Sequence, residues 1–381
     1  MSKMGRIAVT NKDGSFEFRN CPVLPVKDDE MLIEVAICSI CGSDIHFSEV
    51  SDFYPRAFGH EIAGRVVDIG KNAHNTIKST ERINIGDRVV VYPAAPCGNC
   101  YWDTYYGANH TFICTDTKDN RTFEDYPYFI GGFSDYYNVA PGMWLTKIPD
   151  DLSWEEAVLV EPLSIAIRAV EKGTSLPAWK NEQTLAFGGT VAVLGSGGVG
   201  VLTAAAAKVA GAGKVILVGA PKNALEKALS AGVADVIVDI EEKNNSKERI
   251  EYIKSLTKHN IGVDMVFEAA GSPQAFSDAL DMVRRLGTVV ELGCFVDTGE
   301  TIPINVASQI TQKDVTIFGS WCQAPQTFEK AVLTLQSTRK LIKWKELITT
   351  FPLDEIQTAF DLSKGRNKQN IKNAVTGPAY K

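Results

Sequence analysis

The pattern of hydrophobic and polar positions changes character near residue 154. Before that point, short runs rich in β-branched residues, at 31–37, 62–69 and 88–92, alternate with glycines and prolines. Such runs are typical of strands separated by turns, and the tight turn at 85–88 leads into the last of them. The first 160 residues therefore predict a β-rich unit.

Beyond residue 154, apolar strands alternate with helical segments. Ser153 is a candidate helix N-cap, and the pattern predicts a helix from there to Lys172, with Pro162 as the point where it could break. Further strands are predicted at 190–194, 214–218, 236–238, 263–267 and 288–292, and helices at 199–210, 224–231 and 247–258. This alternation predicts a parallel sheet covered by helices on both faces, which the segment 315–318 could close. Two more helices are predicted near 325–337 and 354–364.

A glycine-rich turn, Gly195-Ser-Gly197-Gly198-Val199-Gly200, follows the first of these strands and opens a helix. In this context Gly195 permits the tight turn, Gly197 lets the backbone approach a pyrophosphate, and Gly200 allows close packing of helix and strand. The exposed N–H groups around Gly198 and Val199 and the positive end of the helix would hold the phosphates. The turn predicts a dinucleotide-binding site.

The strand after this turn does not end in the acid that normally binds the ribose 2′-hydroxyl of NAD. It is followed by Gly219-Ala-Pro-Lys222, and Glu226 lies a turn too far along the chain. Lys222 could pair with the 2′-phosphate of NADP as a point charge, or it could be a solvated surface lysine. The cofactor is therefore NAD or NADP, with a slight preference for NADP.

Composition narrows the class of protein. The formal net charge is −7, and the absence of a dense basic block argues against a general nucleic-acid binder. The most apolar stretch, 191–210, is interrupted by glycines and by Lys208, so no membrane span is expected. The N-terminus has no apolar signal region, which predicts a cytoplasmic protein. In that setting, Cys-x-x-Cys spacing among the eight cysteines indicates metal or redox chemistry before disulfides.

Four candidate metal ligands stand in the first 161 residues: Cys41, His60, Glu61 and Glu161. A His-Glu pair alone is more often a buried polar pair than a ligand set. With a cysteine upstream and a second carboxylate downstream, however, the set fits catalytic zinc, which takes three protein ligands and leaves one position open. A metal site followed by a dinucleotide turn predicts an enzyme that moves hydride from an alcohol.

Together these motifs resemble those of the zinc-dependent medium-chain dehydrogenases, and within them the sorbitol (polyol) and threonine dehydrogenase branches. The matching residues are Cys41-Gly-Ser43-Asp44-x-His46, Gly59-His60-Glu61-x-x-Gly64, Gly86-Asp87-Arg88-Val89, Cys97-Gly-x-Cys100, Val160-Glu161-Pro162-Leu163-Ser164 and the glycine turn. They cover residues 38–200, and the β/α alternation extends the match to about residue 320. The resemblance implies a GroES-like β-rich catalytic domain at 1–160 and 322–381. It also implies a Rossmann domain, a doubly wound parallel sheet, at 161–321.

The resemblance implies that Cys41 and His60 bind catalytic zinc. Glu161 stands where the alcohol dehydrogenases of the family place a second cysteine, as in the polyol branch. Glu61 would be either a direct ligand or a neighbour that exchanges with substrate. Asp44 would accept a hydrogen bond from His60 and so hold its tautomer.

The same resemblance implies a proton relay to solvent through Ser43 and His46. It also implies homodimers or homotetramers, between which nothing local in this chain decides.

A second cluster, Cys97, Cys100, Asp103 and Cys114, corresponds to the structural zinc lobe of the family, which uses four cysteines. Asp103 takes the third position, and Cys114 comes three residues later than usual. Aspartate can bind zinc, so a second zinc site with three thiolates and one carboxylate is predicted. His110 is a possible substitute ligand, and a metal-free or partly oxidised lobe is the alternative.

The predicted activity is hydride transfer between a small secondary alcohol or polyol and NAD(P), giving a ketone or aldehyde, with zinc lowering the pKa of the substrate hydroxyl. The preference for a polyol rests on Glu161 by analogy only. One alternative is a zinc-free quinone or enone reductase of the same superfamily, whose members lack these ligands. The other is a non-catalytic nucleotide-binding protein, which decayed ligands or a broken glycine turn would favour.

Overall fold

The structure is a computed structural model that describes residues 3–50, 54–92, 94–106, 114, 122–175, 188–294, 296–297, 299–365 and 370–381. Its strands are β1 (Met4–Thr10), β2 (Phe16–Pro22), β3 (Met31–Ser39), β4 (Arg56–Ala57), β5 (Glu61–Ile69), β6 (Arg88–Tyr92), β7 (Tyr136–Val139), β8 (Trp144–Lys147), β9 (Thr190–Leu194), β10 (Lys214–Gly219), β11 (Val236–Asp239), β12 (Val263–Glu268), β13 (Val283–Glu291), β14 (Thr316–Gly319), β15 (Ile348–Pro352) and β16 (Lys372–Thr376). Its α-helices are α1 (Gly42–Val50), α2 (Ala73–Thr76), α3 (Tyr101–Tyr106), α4 (Trp154–Ala157), α5 (Val160–Thr174), α6 (Gly198–Val209), α7 (Lys222–Ser230), α8 (Ser246–Ser255), α9 (Pro273–Met282), α10 (Gln326–Ser337) and α11 (Ile356–Asp361). No helix among these residues is long and apolar enough to cross a membrane.

The β-rich unit is built around β3, whose residues are almost all buried. Its large sheet has the order β15-β16-β3-β5-β6-β8, with β7 also paired to β3, and a smaller sheet has the order β2-β1-β4. The two C-terminal strands enter this sheet because β16 pairs antiparallel with β3. Residues from the end of the chain therefore lie beside the segment that leads to Cys41.

The second unit is a parallel six-stranded sheet with the order β11-β10-β9-β12-β13-β14. Its central strands β9, β10 and β12 consist mainly of buried apolar residues, as expected for a sheet covered on both faces. The strand order reverses between β9 and β12, so the crevice for a ligand opens at the carboxyl ends of these strands. The predicted fold class, a β-rich domain plus a doubly wound parallel sheet, is confirmed.

One predicted boundary is different. The helix expected from Ser153 to Lys172 is divided after Ala157 rather than at Pro162. Ser153 caps α4 in a capping box with Glu156, as its position indicates. Pro162 lies in the first turn of α5, where its missing N–H has no helical partner to lose, and so it does not break the helix.

The core is continuous between the two units through α5. One hydrophobic cluster contains Ile37 and Val90 of the β-rich sheet, Leu163 of α5, and Val193 and Phe267 of the parallel sheet. Because α5 carries Glu161 in its first turn, this packing places that carboxylate at the boundary between the sheets. The candidate metal residues and the glycine turn thus border one crevice.

Candidate active site

Three of the predicted metal ligands come together. Cys41 directly precedes α1, His60 directly precedes β5, and Glu61 is the first residue of β5, paired in register with Ser39 of β3. One ligand atom from each of Cys41, His60 and Glu61 lies within 4.8 Å of the others. A thiol, an imidazole and a carboxylate at this spacing form a donor set that suits zinc.

Asp44 orients two of these residues. Its carboxylate lies 3.2 Å from Nδ1 of His60 and accepts hydrogen bonds from the N–H of Cys41 at 2.9 Å and of Gly59 at 3.3 Å. Burial raises the pKa of Asp44, but the charge of His60 and these hydrogen bonds hold it below its usual value. Burial lowers the pKa of His60, yet Asp44 and the Cys41 thiol raise it well above its usual value. A proton on Nδ1 facing Asp44 leaves Nε2 available to a metal.

Glu61 has a partner that sequence reasoning missed. Nζ of Lys372 in β16 lies 2.5 Å from Oε1 of Glu61, and Ser39 donates a hydrogen bond to Oε2. The side chains of Lys372 and Glu61 are 6 % and 0 % exposed, so this ion pair is removed from water. Nothing local in the sequence marks Lys372, because the burial of its strand and its nearness to Glu61 arise only in the fold.

Lys372 also approaches the glycine turn. A Cβ on Gly198 would lie 3.0 Å from Cδ of Lys372 and 3.7 Å from its Nζ. Burial lowers the pKa of Lys372, but Glu61 and Cys41 outweigh it and raise the pKa above its usual value. One buried ammonium group thus lies between the candidate metal residues and the candidate phosphate site.

Glu161 is also buried. The cluster of candidate ligands found among the described residues, Cys41, His60 and Glu61, does not include it. Its Oε1 accepts a hydrogen bond from Nε2 of Gln323 at 2.5 Å, a contact that sequence reasoning did not anticipate. Its Oε2 is buried without a hydrogen-bond partner. Burial, with the charge of Glu61 added to it, raises the pKa of Glu161 to about 7. A buried carboxylate oxygen left without a donor fits a site for a cation.

Ser43 and His46, the predicted proton relay, both lie on α1 and are half-buried. His46 lines a cavity of about 570 Å³ that opens between α1 and the segment following β13. The relay is therefore next to a cavity, and its role stays a prediction.

The glycine turn has the shape expected of a phosphate cradle. Gly195 has a φ of +115°, which favours glycine, and Gly200 passes so close to Gly195 that a Cβ would lie 2.0 Å from its carbonyl oxygen. A Cβ on Gly197 would meet no atom within 4 Å, so this side of the turn is open. The turn lines a cavity of about 550 Å³ that also contains Cys41 and Lys372.

The absence of an acid at the last position of β10, Gly219, has a steric explanation. A Cβ on Gly219 would lie 2.6 Å from Oγ of Ser196, whose hydroxyl donates to the carbonyl of Ala220 at 2.6 Å. An aspartate at 219 would therefore collide with the glycine turn. Lys222 is exposed and paired with Glu242, which raises its pKa. The charge that would attract a 2′-phosphate is thus already partly balanced.

The second predicted metal cluster also comes together. Ligand atoms of Cys97, Cys100, Asp103 and Cys114 lie within 4.8 Å of one another. Asp103 Oδ2 accepts hydrogen bonds from the Cys97 thiol at 3.2 Å and from the N–H of Gly98 at 2.9 Å, while Oδ1 is buried without a partner. The sulfur atoms of Cys100 and Cys114 are 3.9 Å apart, too far for a disulfide. His110, the substitute ligand, lies outside the described residues.

The fold and the site define a zinc-dependent oxidoreductase that uses NAD or NADP. The family model of the alcohol dehydrogenase GroES-like domain matches residues 27–150, and that of the zinc-binding dehydrogenases matches residues 198–337. A sorbitol dehydrogenase of Bacillus subtilis is 32 % identical over 363 residues, covering 93 % of this chain and 92 % of its own. The chain belongs to the zinc-dependent medium-chain dehydrogenase family.

Two solved structures are similar along almost the whole chain. A zinc-binding dehydrogenase of Sinorhizobium meliloti bound to NADP has 25 % identity and a TM-score of 0.79, with 98 % of this chain and 99 % of that one covered. An alcohol dehydrogenase of Escherichia coli complexed with NADH has 25 % identity and a TM-score of 0.78, with 99 % and 100 % covered. One of these structures holds NADP and the other NADH, and Gly219 and Lys222 likewise do not decide between NAD and NADP in this chain.

Proposed function

We propose that the enzyme oxidises a polyol or another secondary alcohol to a ketone or aldehyde with NAD or NADP, and catalyses the reverse reduction. The observation that carries this proposal is the shared cavity. Cys41, at the candidate metal site, and the turn Gly195–Gly200 line the same space of about 550 Å³. The sorbitol dehydrogenase relative supports a polyol as the substrate class.

In this proposal Cys41 and His60 hold catalytic zinc. Glu61 is either the third ligand or a group that exchanges with substrate, and the orphaned oxygen of Glu161 completes the site. Zinc, when bound, lowers the pKa of the substrate hydroxyl. Asp44 keeps the Nδ1 proton of His60 in place and so presents Nε2 to the site.

Ser43 and His46 carry the substrate proton to solvent. Both lie on α1, two and five residues after Cys41, and His46 lines the cavity of about 570 Å³. An imidazole can accept a proton on one ring nitrogen and release a proton from the other, which suits a residue that passes a proton to water.

The glycine turn, with the N–H groups of Gly198 and Val199 at the start of α6, binds the pyrophosphate of the cofactor. The nicotinamide, when bound, accepts the hydride. Lys372 adds a positive charge close to Gly198, and Lys222 contacts a 2′-phosphate only after leaving Glu242. Lys372 is likewise paired, with Glu61, so the charges of both lysines are partly balanced.

The cluster of Cys97, Cys100, Asp103 and Cys114 binds a second, structural zinc ion. The unpartnered Oδ1 of Asp103, buried among three thiols, supports this assignment. Hydrogen bonds from the thiols and from Gly98 lower the pKa of Asp103 against the effect of burial, and so favour the carboxylate that zinc requires.

We also propose that the chain divides into a catalytic domain, 1–160 with 322–381, and a cofactor domain, 161–321. The pairing of β16 with β3 supports the return of the chain to the first domain. A cytoplasmic homodimer or homotetramer, with neither nucleic-acid nor membrane partners, completes the proposal. The edge strand β14, with Ile317 exposed, offers a surface for self-association.

The proposal is tested with Cys41→Ala and, as a matched control, Cys21→Ala, a buried cysteine in β2 far from the site. Zinc content is measured by mass spectrometry, and oxidation is followed with NAD and NADP separately over sugar alcohols, amino alcohols and simple secondary alcohols. Cys41→Ala should lose turnover and one zinc per chain, while the control keeps both. Full zinc and activity in Cys41→Ala, or turnover by the metal-free protein, would contradict the assignment.

A further inference from the structure

Two glutamates meet at the carboxyl edge of the parallel sheet, outside the metal site. Glu268 is the last residue of β12, Glu291 is the last residue of β13, and the two are partners in register. A carboxylate oxygen of each lies within 4.8 Å of the other, and Glu268 is fully buried. Two acids in such proximity need an explanation, since like charges oppose each other strongly away from water.

Each carboxylate holds the backbone that follows its own strand. Glu268 accepts hydrogen bonds from the N–H of Ala270 at 2.8 Å and of Gly271 at 3.1 Å. Glu291 accepts hydrogen bonds from the N–H of Gly293 at 2.9 Å and of Cys294 at 2.8 Å. The two acids therefore determine the shape of the two turns that leave the sheet.

The two turns also touch each other. A Cβ on Gly293 would lie 2.4 Å from Oε2 of Glu268 and 2.4 Å from the N atom of Gly271. A Cβ on Gly271 would lie 2.7 Å from the carbonyl oxygen of Gly293. With this little space, a movement of one turn must displace the other.

These turns form a wall shared by the two cavities, because Ala270 and Gly293 line both. The pyrophosphate site is at Gly195–Gly200, and the adenosine half of the cofactor points toward β10 and Gly219. The other half must then extend toward β12 and β13, where Ala270 and Gly293 lie. The acid pair thus supports the wall beside the nicotinamide half.

The surroundings favour a single proton shared between the acids. Burial, followed by the charge of Glu291, raises the pKa of Glu268 to about 9. Oε2 of Glu291 is buried and has no donor of its own. The described groups that face the same cavity are Glu291, Cys294, Asp297, Glu300 and His46. Only His46 among them can carry a positive charge. The described cations of the second cavity, Arg249 and Lys372, are each paired with a carboxylate of their own. The nearby side chains therefore oppose ionisation of both glutamates at once.

We propose that Glu268 and Glu291 are positioning residues that share one proton, tie the turn after β12 to the turn after β13, and so shape the binding site of the nicotinamide half. This inference rests on the proposed function, since it assigns that cavity wall to the cofactor. An amide in place of one acid keeps the link, because its N–H donates the hydrogen bond that the shared proton makes. Loss of both the proton and the acceptor breaks the link.

The test compares Glu291→Gln and Glu291→Ala by fluorescence titration with NADH and with NADPH, in the absence of alcohol. At about pH 7, Glu291→Ala should bind reduced cofactor about tenfold more weakly than the wild type, or about 1.4 kcal/mol, and Glu291→Gln within about twofold. At about pH 10 the wild type should lose affinity as both acids ionise, whereas Glu291→Gln, with one carboxylate left, should not. Wild-type affinity in Glu291→Ala, or an equal loss in both variants, would overturn the proposal.

The shared proton is checked without cofactor by the melting temperature. Between about pH 7 and about pH 10, the wild type should lose more thermal stability than Glu291→Gln. Only in the wild type do two neighbouring carboxylates, Glu268 and Glu291, both become negatively charged in the folded protein. Equal slopes would overturn the shared proton even if neither cofactor binds. Failure of the wild type to bind NADH and NADPH would instead contradict the proposed function, and the melting comparison would still decide the pair.

Discussion

The replacement of Lys372 by methionine tests directly whether the buried ion pair between Lys372 and Glu61 stabilises the site. Methionine keeps most of the volume of the side chain and removes its charge, so Glu61 is left buried with Ser39 as its remaining partner. Because Lys372 and Glu61 are 6 % and 0 % exposed, water cannot replace the lost ammonium group without opening the site.

The magnitude follows from two limits. Breaking a buried ion pair by removing one partner destabilises proteins by about 3–5 kcal/mol. The loss of stability also has an upper limit, because Glu61 can take up a proton once Lys372 is gone. Protonating a glutamate of ordinary pKa at pH 7 costs about 3.7 kcal/mol. We therefore expect Lys372→Met to lower the free energy of unfolding by about 3–4 kcal/mol in metal-free protein.

The matched control is Lys330→Met, the same change at an exposed pair. Lys330 and its partner Glu171 have side chains that are 52 % and 48 % exposed, so the loss should stay below about 1 kcal/mol. Urea unfolding of the chelator-treated proteins gives both values, provided that the slopes agree. The double variant Lys372→Met with Glu61→Gln should regain part of the loss, since the amide leaves no stranded charge.

Equal midpoints for Lys372→Met and Lys330→Met would refute this reasoning. So would a double variant less stable than Lys372→Met alone, because Glu61 would then not be the group that Lys372 neutralises.

Three further predictions concern the cofactor turn, the second metal site and the acid pair. Gly200→Ala places a methyl group 2.0 Å from the carbonyl of Gly195, so binding of reduced cofactor by fluorescence should fall at least about tenfold; unchanged affinity would contradict the observed turn. Asp103→Ala should lower the zinc content by one ion per chain, and a preparation that keeps the wild-type zinc content would show that Asp103 is not a ligand. Because the pKa of Glu268 is raised to about 9, it stays protonated in the folded protein while it ionises in the unfolded chain. The unfolding free energy of the wild type, measured relative to Glu268→Gln, should therefore fall as pH rises from about 5 to about 9, and a flat difference would exclude the raised pKa.

Most of the fold could be predicted because its signals are local. The apolar runs of β9, β10 and β12, separated by helices, indicate a parallel sheet without any information from distant parts of the chain. The helix boundary at Pro162 was wrong because a proline in the first helical turn resembles a proline that breaks a helix, and only the position of the cap at Leu159 separates the two cases.

The site was predicted in part. Cys41, His60 and Glu61 could be named because each stands in a short motif, and the structure brings them together. Lys372 and Gln323 could not be named, since 311 residues separate Lys372 from Glu61 and 162 separate Gln323 from Glu161. No periodicity in the chain connects positions that far apart.

The sequence by itself determined the kinds of chemistry in this protein: a thiol–imidazole–carboxylate set, a glycine turn for a dinucleotide, and a class of fold that holds both. Tertiary structure alone decided which charges meet. It joined Lys372 to Glu61, left one oxygen of Glu161 without a donor, and set Glu268 against Glu291. The physical reason is that burial and pairing determine what a charged group does, and both depend on neighbours that the chain brings in from distant positions.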